Sequence, residues 1–394
     1  MITVIGLDGS PLSDLARTRI EGAALVLGGR RHLAETPVPA GIPTVALRDD
    51  PAEALRRVLD ADGAAVVLAS GDPGLFGVLR LLRERLPAEA VEVLPAVSSV
   101  ALAFARAGLS WDDAVVVSAH GRELRPAVAV CRAHPKVAVL TAQGSGPAEL
   151  AAALVGTGRR LFVAERLGLP GERTTWTTPE TCGPDWDALN VVLVVDDGRS
   201  VAAGKGWIAG RVQPAAWALP DDAFAHRDGM LTKAEVRAVA LARLGPRLGD
   251  LVWDIGAGSG SVGVECARLG AAVIAVERGD TSFVEANAKA FGVDVQVVHG
   301  DAPAALQGLA DPDAVFVGGG GNDVGQIVRD CVARGPRTVV VALAALDRLA
   351  DVRAALAPYA VDGVLLQANR LRDLAGASAL AATNPVLLVW GNRT

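Results

Sequence analysis

Short apolar runs separated by helical periodicities recur along the whole chain. In the first half, Val4-Ile5, Val66-Val67-Leu68-Ala69, Val91-Glu92-Val93-Leu94 and Val115-Val116-Val117 predict buried strands, and Val137-Ala138-Val139-Leu140, Leu161-Phe162-Val163 and Val191 to Val195 continue the series. Between them, Asp49 to Leu59 and Leu75 to Leu86 carry the apolar spacing of helices packed on a sheet. The regularity lapses from about Gly198 to Gly229, a stretch rich in Gly, Pro, Trp and Asp that predicts a domain boundary. Within it, Trp207, Ile208 and Trp217 predict that parts of the stretch pack onto a domain. The pattern restarts at Thr232, which can cap a helix with Glu235 as its capping-box partner and Val236, Val239, Ala240 and Leu244 as its apolar stripe. Strands are then predicted at Leu251 to Ile255, Val273 to Val276, Val295 to Val298, Ala314 to Val317, Arg337 to Ala342, Gly363 to Gln367 and Val386 to Trp390. The expectation is two α/β domains, residues 1–200 and 222–394, joined by a linker over 201–221, with the second doubly wound and no repeat relating the two.

Bulk properties narrow the class. The 394 residues suit two cores of about 200 residues each. With 51% apolar and 21% charged residues there is material for buried strands and no sign of extensive disorder. A net charge of −6 argues against a dedicated nucleic-acid binder, although local arginines can still recognise carboxylates bidentately. No basic segment followed by a long apolar stretch stands at the N-terminus, and no apolar run approaches the ~20 residues that span a bilayer, so a soluble, cytoplasmic protein is expected. Cys131, Cys182, Cys266 and Cys331 are scattered without a Cys-x-x-Cys pair, which predicts reduced thiols and neither a metal site nor a disulfide framework.

The sharpest chemical signal is Trp253-Asp254-Ile255-Gly256-Ala257-Gly258-Ser259-Gly260, an apolar strand running into a glycine-rich turn and then a helical pattern with Val262, Val264, Ala267 and Leu269. Glycines are needed where a backbone turns tightly or approaches a ligand. A nicotinamide dinucleotide site would want Gly-x-Gly-x-x-Gly, but Ser261 stands at the third glycine position. Asp254, at the strand end, suits a ligand bearing an ammonium group and not a pyrophosphate. Glu277 ends the following strand, where an acid commonly takes ribose hydroxyls, and Gly300-Asp301-Ala302 can bracket an adenine after the next.

Acid, Gly-x-Gly-x-Gly, acid and acid at successive strand ends resemble a class I S-adenosylmethionine methyltransferase. More narrowly, Asp228-Gly229-Met230-Leu231-Thr232-Lys233-Ala234-Glu235-Val236-Arg237, the glycine-rich run, Gly300-Asp301-Ala302-Pro303 and Asp311-Pro312-Asp313-Ala314-Val315-Phe316-Val317-Gly318-Gly319-Gly320 resemble the decarboxylating precorrin methyltransferase family over roughly residues 222–394. That resemblance implies a Rossmann-like class I domain in which Thr232, Gly256, Ala257, Gly258, Ser259, Gly260, Glu277 and Ala302 line the methyl-donor pocket and Gly318, Gly319, Gly320 and Gly321 lie near the substrate. Asp254 and Asp301 join the donor set from their places in the motifs. Exposed N–H groups of the glycine run can form a concave anion site for substrate carboxylates.

The first half has different punctuation. Gly6-Leu7-Asp8-Gly9-Ser10-Pro11, Gly28-Gly29-Arg30-Arg31, Ala69-Ser70-Gly71-Asp72-Pro73-Gly74-Leu75-Phe76-Gly77, Pro95-Ala96-Val97-Ser98-Ser99-Val100, Trp111-Asp112-Asp113-Ala114, Ser118-Ala119-His120-Gly121-Arg122 and Glu165-Arg166-Leu167-Gly168-Leu169-Pro170-Gly171-Glu172 together resemble the tetrapyrrole (class III) methylase family, specifically its precorrin C5-methylating members. The match spans most of residues 1–197. It implies that Gly71, Asp72, Leu75, Phe76, Ser98 and Ser99 line a donor pocket. The family's first loop often reads Gly-x-Gly-Pro-Gly, and here Asp8, Gly9 and Ser10 depart from it. Gly-Asp-Pro is also an ordinary turn signal and Ser98-Ser99 an ordinary helix cap. His120 and Arg122 read equally as a catalytic or carboxylate-binding pair and as a structural hydrogen bond. Asn384-Pro385 resembles a nucleobase methyltransferase motif, though a turn leading into a strand suits Val386 better.

The two families in one chain imply S-adenosyl-L-methionine as donor in each domain, methylation of a corrin precursor at C5 by the first domain and at C15 by the second, and loss of the C12 acetate as carbon dioxide, converting precorrin-6B to precorrin-8X in cobalamin biosynthesis. Arg122, His226 and Asp228 are the candidate catalytic residues, the last two placed to assist decarboxylation. A homo-oligomer is implied, with dimers of the first domain and higher assemblies of the second. The alternatives are the same chemistry on a cobalt-containing precorrin and, disfavoured by Asp254 and Ser261, an NAD(P)-linked oxidoreductase.

Overall fold

The computed structural model describes residues 1–47, 56–198 and 216–393. The chain groups into two compact units: Met1–Arg122 with Ala138–Ala153 and Arg159–Val195, and Glu123–Val137 with Leu154–Gly158 and Asp196–Thr394. Residues 49–55 of the expected helix from Asp49, most of the expected linker, and Trp207 and Ile208 lie outside the described residues, and 56–59 are helical.

In the first unit, β1 (Ile2–Leu7), β2 (Leu25–Gly28), β3 (Thr44–Ala46), β4 (Ala65–Ser70) and β5 (Val91–Leu94) form a parallel sheet in the order β3-β2-β4-β1-β5. The central strands read as unbroken apolar runs because both faces are covered. Val4 packs with Leu27 and Val67 on one side, and Ile5 packs with Val26, Val66 and Leu68 on the other. The remaining strands make a second sheet, β6 (Val115–Ser118), β7 (Lys136–Leu140), β8 (Arg160–Glu165), β9 (Arg173–Thr177) and β10 (Asn190–Val195), in the order β6-β7-β10-β8-β9. β8 runs antiparallel to both β9 and β10. The expected helix over Leu75 to Leu86 is shorter than its pattern, Leu79–Arg83, because the Gly-Asp-Pro turn and Phe76, at φ 53°, occupy the preceding residues.

The second unit is built on a seven-stranded sheet of β11 (Leu251–Ile255), β12 (Ala272–Glu277), β13 (Gln296–His299), β14 (Ala314–Val317), β15 (Thr338–Leu343), β16 (Ala360–Leu366) and β19 (Val386–Asn392). Its order is β13-β12-β11-β14-β15-β19-β16, parallel except for β19, which opposes both its neighbours. Trp253 and Ile255 pack on one face with Val315 and Val317, while Val252 packs on the other with Phe316 and Val340. β18 (Ala377–Ala382) and β17 (Asn369–Leu374) form a separate exposed hairpin that periodicity did not predict. Asn384-Pro385 leads directly into β19, the ordinary turn role.

Two expectations at the start of this unit need correction. Part of the 198–229 stretch does pack onto the domain, but through Phe224, buried against Val264 and Ala288 with Leu219 beside it, whereas Trp217 is 52% exposed. Thr232 does not cap a helix either. Helix Ala234–Leu244 has Lys233 at its N-cap with no side-chain cap bond, and the Ala234 N–H donates at 2.9 Å to Asp221 Oδ1 from thirteen residues upstream. Glu235 is accordingly free of capping-box duty and holds Arg370 through both carboxylate oxygens, at 2.9 and 2.6 Å.

Candidate functional site

The strand order of the seven-stranded sheet reverses between β11 and β14, so the crevice beyond their carboxyl ends is where an open α/β sheet binds ligands. Both glycine runs end there. Gly256, Gly258 and Gly260 turn the chain at φ 67°, 55° and 71° from β11 into helix Ser261–Arg268. At Gly256 the need for glycine is also spatial, because a Cβ would lie 2.8 Å from the Cα and N of Gly319. The turn after β11 and the run Gly318 to Gly321 after β14 therefore touch backbone to backbone. Gly318 N–H donates to Ile255 O at 2.8 Å, tying the second run to the end of β11.

The acids divide their work. Glu277 Oε2 accepts the Gly258 N–H at 2.8 Å and Oε1 accepts the Gly279 N–H at 2.7 Å, so the carboxylate sits against the glycine turn. A pocket opens beside it, walled by Arg227, Met230, Gly258, Ser259, Glu277, Gly279, Asp280 and Phe283. Among the described residues the buried Ser259 Oγ has no hydrogen-bond partner, a polar atom that a bound ligand can satisfy. Asp254 lies beneath the turn, 1% exposed, with Oδ2 accepting the Gly263 N–H at 2.8 Å; it anchors the helix start.

Burial pushes the Asp254 carboxyl up to about 7, helped by the Glu277 charge and opposed by the Gly263 N–H. Its pKa is thus raised above the unfolded value, and the folded state holds a proton that the unfolded state releases between about pH 4 and 7. The stability this group contributes is fully present below about pH 4 and is lost as pH rises through 7, by at most about 4 kcal/mol. In denaturant titrations across that range the parent is expected to lose stability relative to Asp254→Asn as pH rises; parallel curves would refute the assignment.

The segment 219–232 forms one wall of the pocket. Arg237, fully buried, donates to Thr232 O at 2.5 Å and to Leu219 O, and its Nε lies 3.4 Å from buried Glu265. His226 Nδ1 accepts the Gly229 N–H at 3.1 Å, and Asp228 sits at φ 49°, so both shape the turn ahead of Met230. Asp301 is exposed and Ala302 half-buried after β13, next in the sheet to β12. Sequence reasoning missed two residues here. Asn287, 2% exposed, bonds both Ser259 and Ala225. Arg348, half-buried after β15, donates to Asn322 beside the glycine run. Neither stands in a motif that spacing could reveal.

The first unit has its own loop cluster. A Cβ on Gly6 would lie 2.3 Å from Gly71 O and 2.6 Å from Ala96 N, so the ends of β1, β4 and β5 converge on this glycine. Asp8, the departure in the first loop, accepts from the Ser10 N–H and hydroxyl through Oδ1 and from the Val97 N–H at 3.1 Å through Oδ2. Burial would raise its pKa, but these hydrogen bonds outweigh it and hold the carboxyl below its usual value. A pocket beside Asp8 is lined by Gly6, Ser10, Pro11, Ser13, Ala96 and Val97 among others.

Asp72 Oδ1 accepts the Gly74 N–H at 2.8 Å within its own turn, and Leu75 packs with the core around Phe104. Ser98 caps helix Ser99–Ala107 through the Ala101 N–H, at 3.1 Å. Gly71 packs against Ser98 and Ser99, which brings the two motifs together, whereas Phe76 is 41% exposed. His120 and Arg122 are both exposed, and Arg122 donates to the Ser118 carbonyl at 3.3 Å. The four cysteines are not joined in disulfides; burial pushes Cys331 up to about 12 and Cys266 well above the usual thiol value.

A parallel sheet with the β13-β12-β11-β14-β15 order, a glycine turn after β11 and an acid ending β12 is an architecture that α/β methyltransferases share with dinucleotide-binding sheets, and the family matches assign this chain to the methyltransferases. The comparisons agree: residues 222–391 match the precorrin methyltransferase domain and residues 9–181 match the tetrapyrrole (corrin/porphyrin) methylases. A precorrin-6Y C(5,15)-methyltransferase [decarboxylating] of Sinorhizobium sp is 41% identical over 82% of this chain and 79% of its own length. A cobalt-precorrin-7 C(5)-methyltransferase of Salmonella typhimurium is 32% identical over 50% of this chain and all of its own. A probable cobalt-precorrin-6B C(15)-methyltransferase (decarboxylating) of Pyrobaculum calidifontis is 35% identical over 43% of this chain and 93% of its own. The chain belongs to the precorrin-6Y C5,15-methyltransferase (decarboxylating) family.

Proposed function

We propose that the chain methylates a precorrin at C5 and C15 and decarboxylates the C12 acetate to a methyl group with release of carbon dioxide, with residues 1–200 serving C5, residues 222–394 serving C15 and decarboxylation, and one donor site in each. The observation that carries this reading is the pocket beside the glycine turn of the second unit, in a chain whose relative over 82% of its length is named for both positions; in the first unit the support is the convergence of the Gly6, Gly71 and Ser98-Ser99 loops. S-Adenosyl-L-methionine supplies an activated methyl group on a sulfonium when bound. The cradle fits it: Gly256 leaves no room for a Cβ, Ser259 Oγ lacks a partner among the described residues, and Glu277 presents a carboxylate at the pocket wall.

In the second unit Glu277 holds the ribose hydroxyls, and the turn from Gly256 to Gly260 presents backbone to the donor. Asp254 fixes the turn from below, Thr232 contributes through the backbone that Arg237 holds, and Asp301 and Ala302 bracket the adenine. Gly318 to Gly321 and Arg348 take carboxylates of the macrocycle, the guanidinium offering paired donors. His226 and Asp228 are assigned to assist the departing carboxylate. In the first unit Gly71, Asp72, Leu75, Phe76, Ser98 and Ser99 hold the donor, and Arg122 meets a substrate carboxylate. No strong protein nucleophile is required of these residues; their work is to align methyl and carbon and to exclude water, worth about 7–11 kcal/mol of barrier.

Two S-adenosylhomocysteine binding events per full-length chain, with two methyl groups and one lost carboxyl in the product by mass spectrometry, are expected. One binding event, or one methyl group, sinks the reading. Arg348→Ala should raise the macrocycle KM about tenfold and leave donor affinity alone, checked by steady-state kinetics. The cobalt-containing substrate is the second reading, favoured by the names of the two shorter relatives; the same assay run with each macrocycle separates them.

A further inference from the structure

The pocket of the second unit has three walls from three parts of the chain. Arg227 and Met230 come from the segment 219–232, Gly258 and Ser259 from the turn after β11, and Glu277 and Phe283 from the end of β12 and helix Ser282–Ala290. Asn287 lies on that helix, 2% exposed. Its Nδ2 donates to Ser259 O and to Ala225 O, each at 2.8 Å, and its Oδ1 accepts the Ala225 N–H at 2.8 Å. Both amide hydrogens and the oxygen are committed, and toward Ala225 the side chain pairs as a neighbouring strand would.

One buried amide on the third wall therefore grips the backbone of the other two. We infer that Asn287 is a positioning residue for the second donor pocket: it sets the separation between the segment 219–232 and the glycine turn, and through that the donor's affinity and residence time, without touching the donor. This rests on the reading of the pocket as a donor site. Apolar packing supplies a second tie along the same seam. Phe224 is buried against Val264 and Ala288, with its ring 5.0 Å from that of Phe291. Removing the amide leaves Ser259 O, Ala225 O and the Ala225 N–H without their partner while this packing persists, so the walls loosen before the fold does.

The test uses the full-length chain and S-adenosylhomocysteine, with calorimetry for affinity and stopped-flow displacement for dissociation. The second-unit event is the one that Gly256→Ala abolishes. Asn287→Ala is expected to weaken that event about tenfold or more and to speed dissociation accordingly, while the first-unit event stays within twofold of the parent. Tyr359→Phe is the control for a generic loss of a buried hydrogen bond, since Tyr359 Oη donates to Pro336 O at 2.6 Å away from the pocket walls. It should leave both events unchanged. Asn287→Asp, which keeps the acceptor for Ala225 N–H and loses both donors, should also weaken the second event. An affinity within twofold of the parent in a folded Asn287 variant, or equal loosening by Tyr359→Phe, overturns the inference. So does failure of both Asn287 variants to fold, which would make the residue a folding requirement only. A parent with no second event would instead defeat the donor-site reading itself.

Discussion

Gly256→Ala is expected to erase donor binding in the second unit, by a hundredfold or more, while the first unit keeps its own event. Two costs combine. An alanine at φ 67° pays a penalty of about 1–2 kcal/mol, and its methyl would stand 2.8 Å from the backbone of Gly319. That neighbour is the main chain of the second glycine run, held by Gly318 N–H to Ile255 O at 2.8 Å, so it cannot swing aside as a side-chain tip would. Relief requires the two runs to part, which displaces the turn from Glu277 and disturbs the anion cradle together. Methylation at C15 and decarboxylation should fall with donor binding, leaving a macrocycle that gains at most one methyl group and keeps its acetate. Calorimetry with S-adenosylhomocysteine and product mass spectrometry check both halves of this expectation. Two unaltered binding events would show that the junction of the glycine runs is not part of the site.

How much of this was legible in the sequence follows from how locally each feature is encoded. β11, β12 and β14 were read nearly to the residue because central parallel strands are apolar on both faces and stand out as unbroken runs. The glycine turn and Glu277 were legible because their spacing along the chain mirrors their contact, Gly258 N–H to Glu277 Oε2 at 2.8 Å. β9 and the β17–β18 hairpin were not, since neither buries a face: Leu371 and Leu380, paired across the hairpin, are 78% and 63% exposed. The cap of helix Ala234–Leu244 was misplaced because a local rule chose Thr232, whereas the chain folds back to bring Asp221 to the Ala234 N–H. Asn287 carries no signal of its own; an asparagine within a helix acquires meaning only when Ser259 and Ala225 arrive beside it. Asp8 was visible as a departure from the family's loop, but its bond to Val97 crosses 89 residues and could only be seen in the fold.

The complementary experiment concerns the first unit. Gly6→Ala should abolish its donor event and C5 methylation and spare the second unit. The ends of three parallel strands converge on this residue: Gly71 N–H donates to Leu7 O at 2.7 Å, and a Cβ on Gly6 would lie 2.3 Å from Gly71 O and 2.6 Å from Ala96 N. Both obstacles are backbone, and both belong to loops carrying proposed donor contacts, Gly71-Asp72 on one side and Ser98-Ser99 on the other. Gly183→Ala provides the matched control in the same unit, since a methyl there meets nothing within 4 Å and its φ is unstrained. It should bind donor twice and methylate as the parent does. A Gly6→Ala chain that is folded, retains both binding events and still methylates C5 would show that the first unit takes its donor elsewhere. Loss of the first event alone, set beside loss of the second alone in Gly256→Ala, would establish two sites that fail independently. That independence is what a chain combining two unrelated methyltransferase folds should display if, as proposed, each unit presents its own strand ends and its own glycine junction to a separate donor.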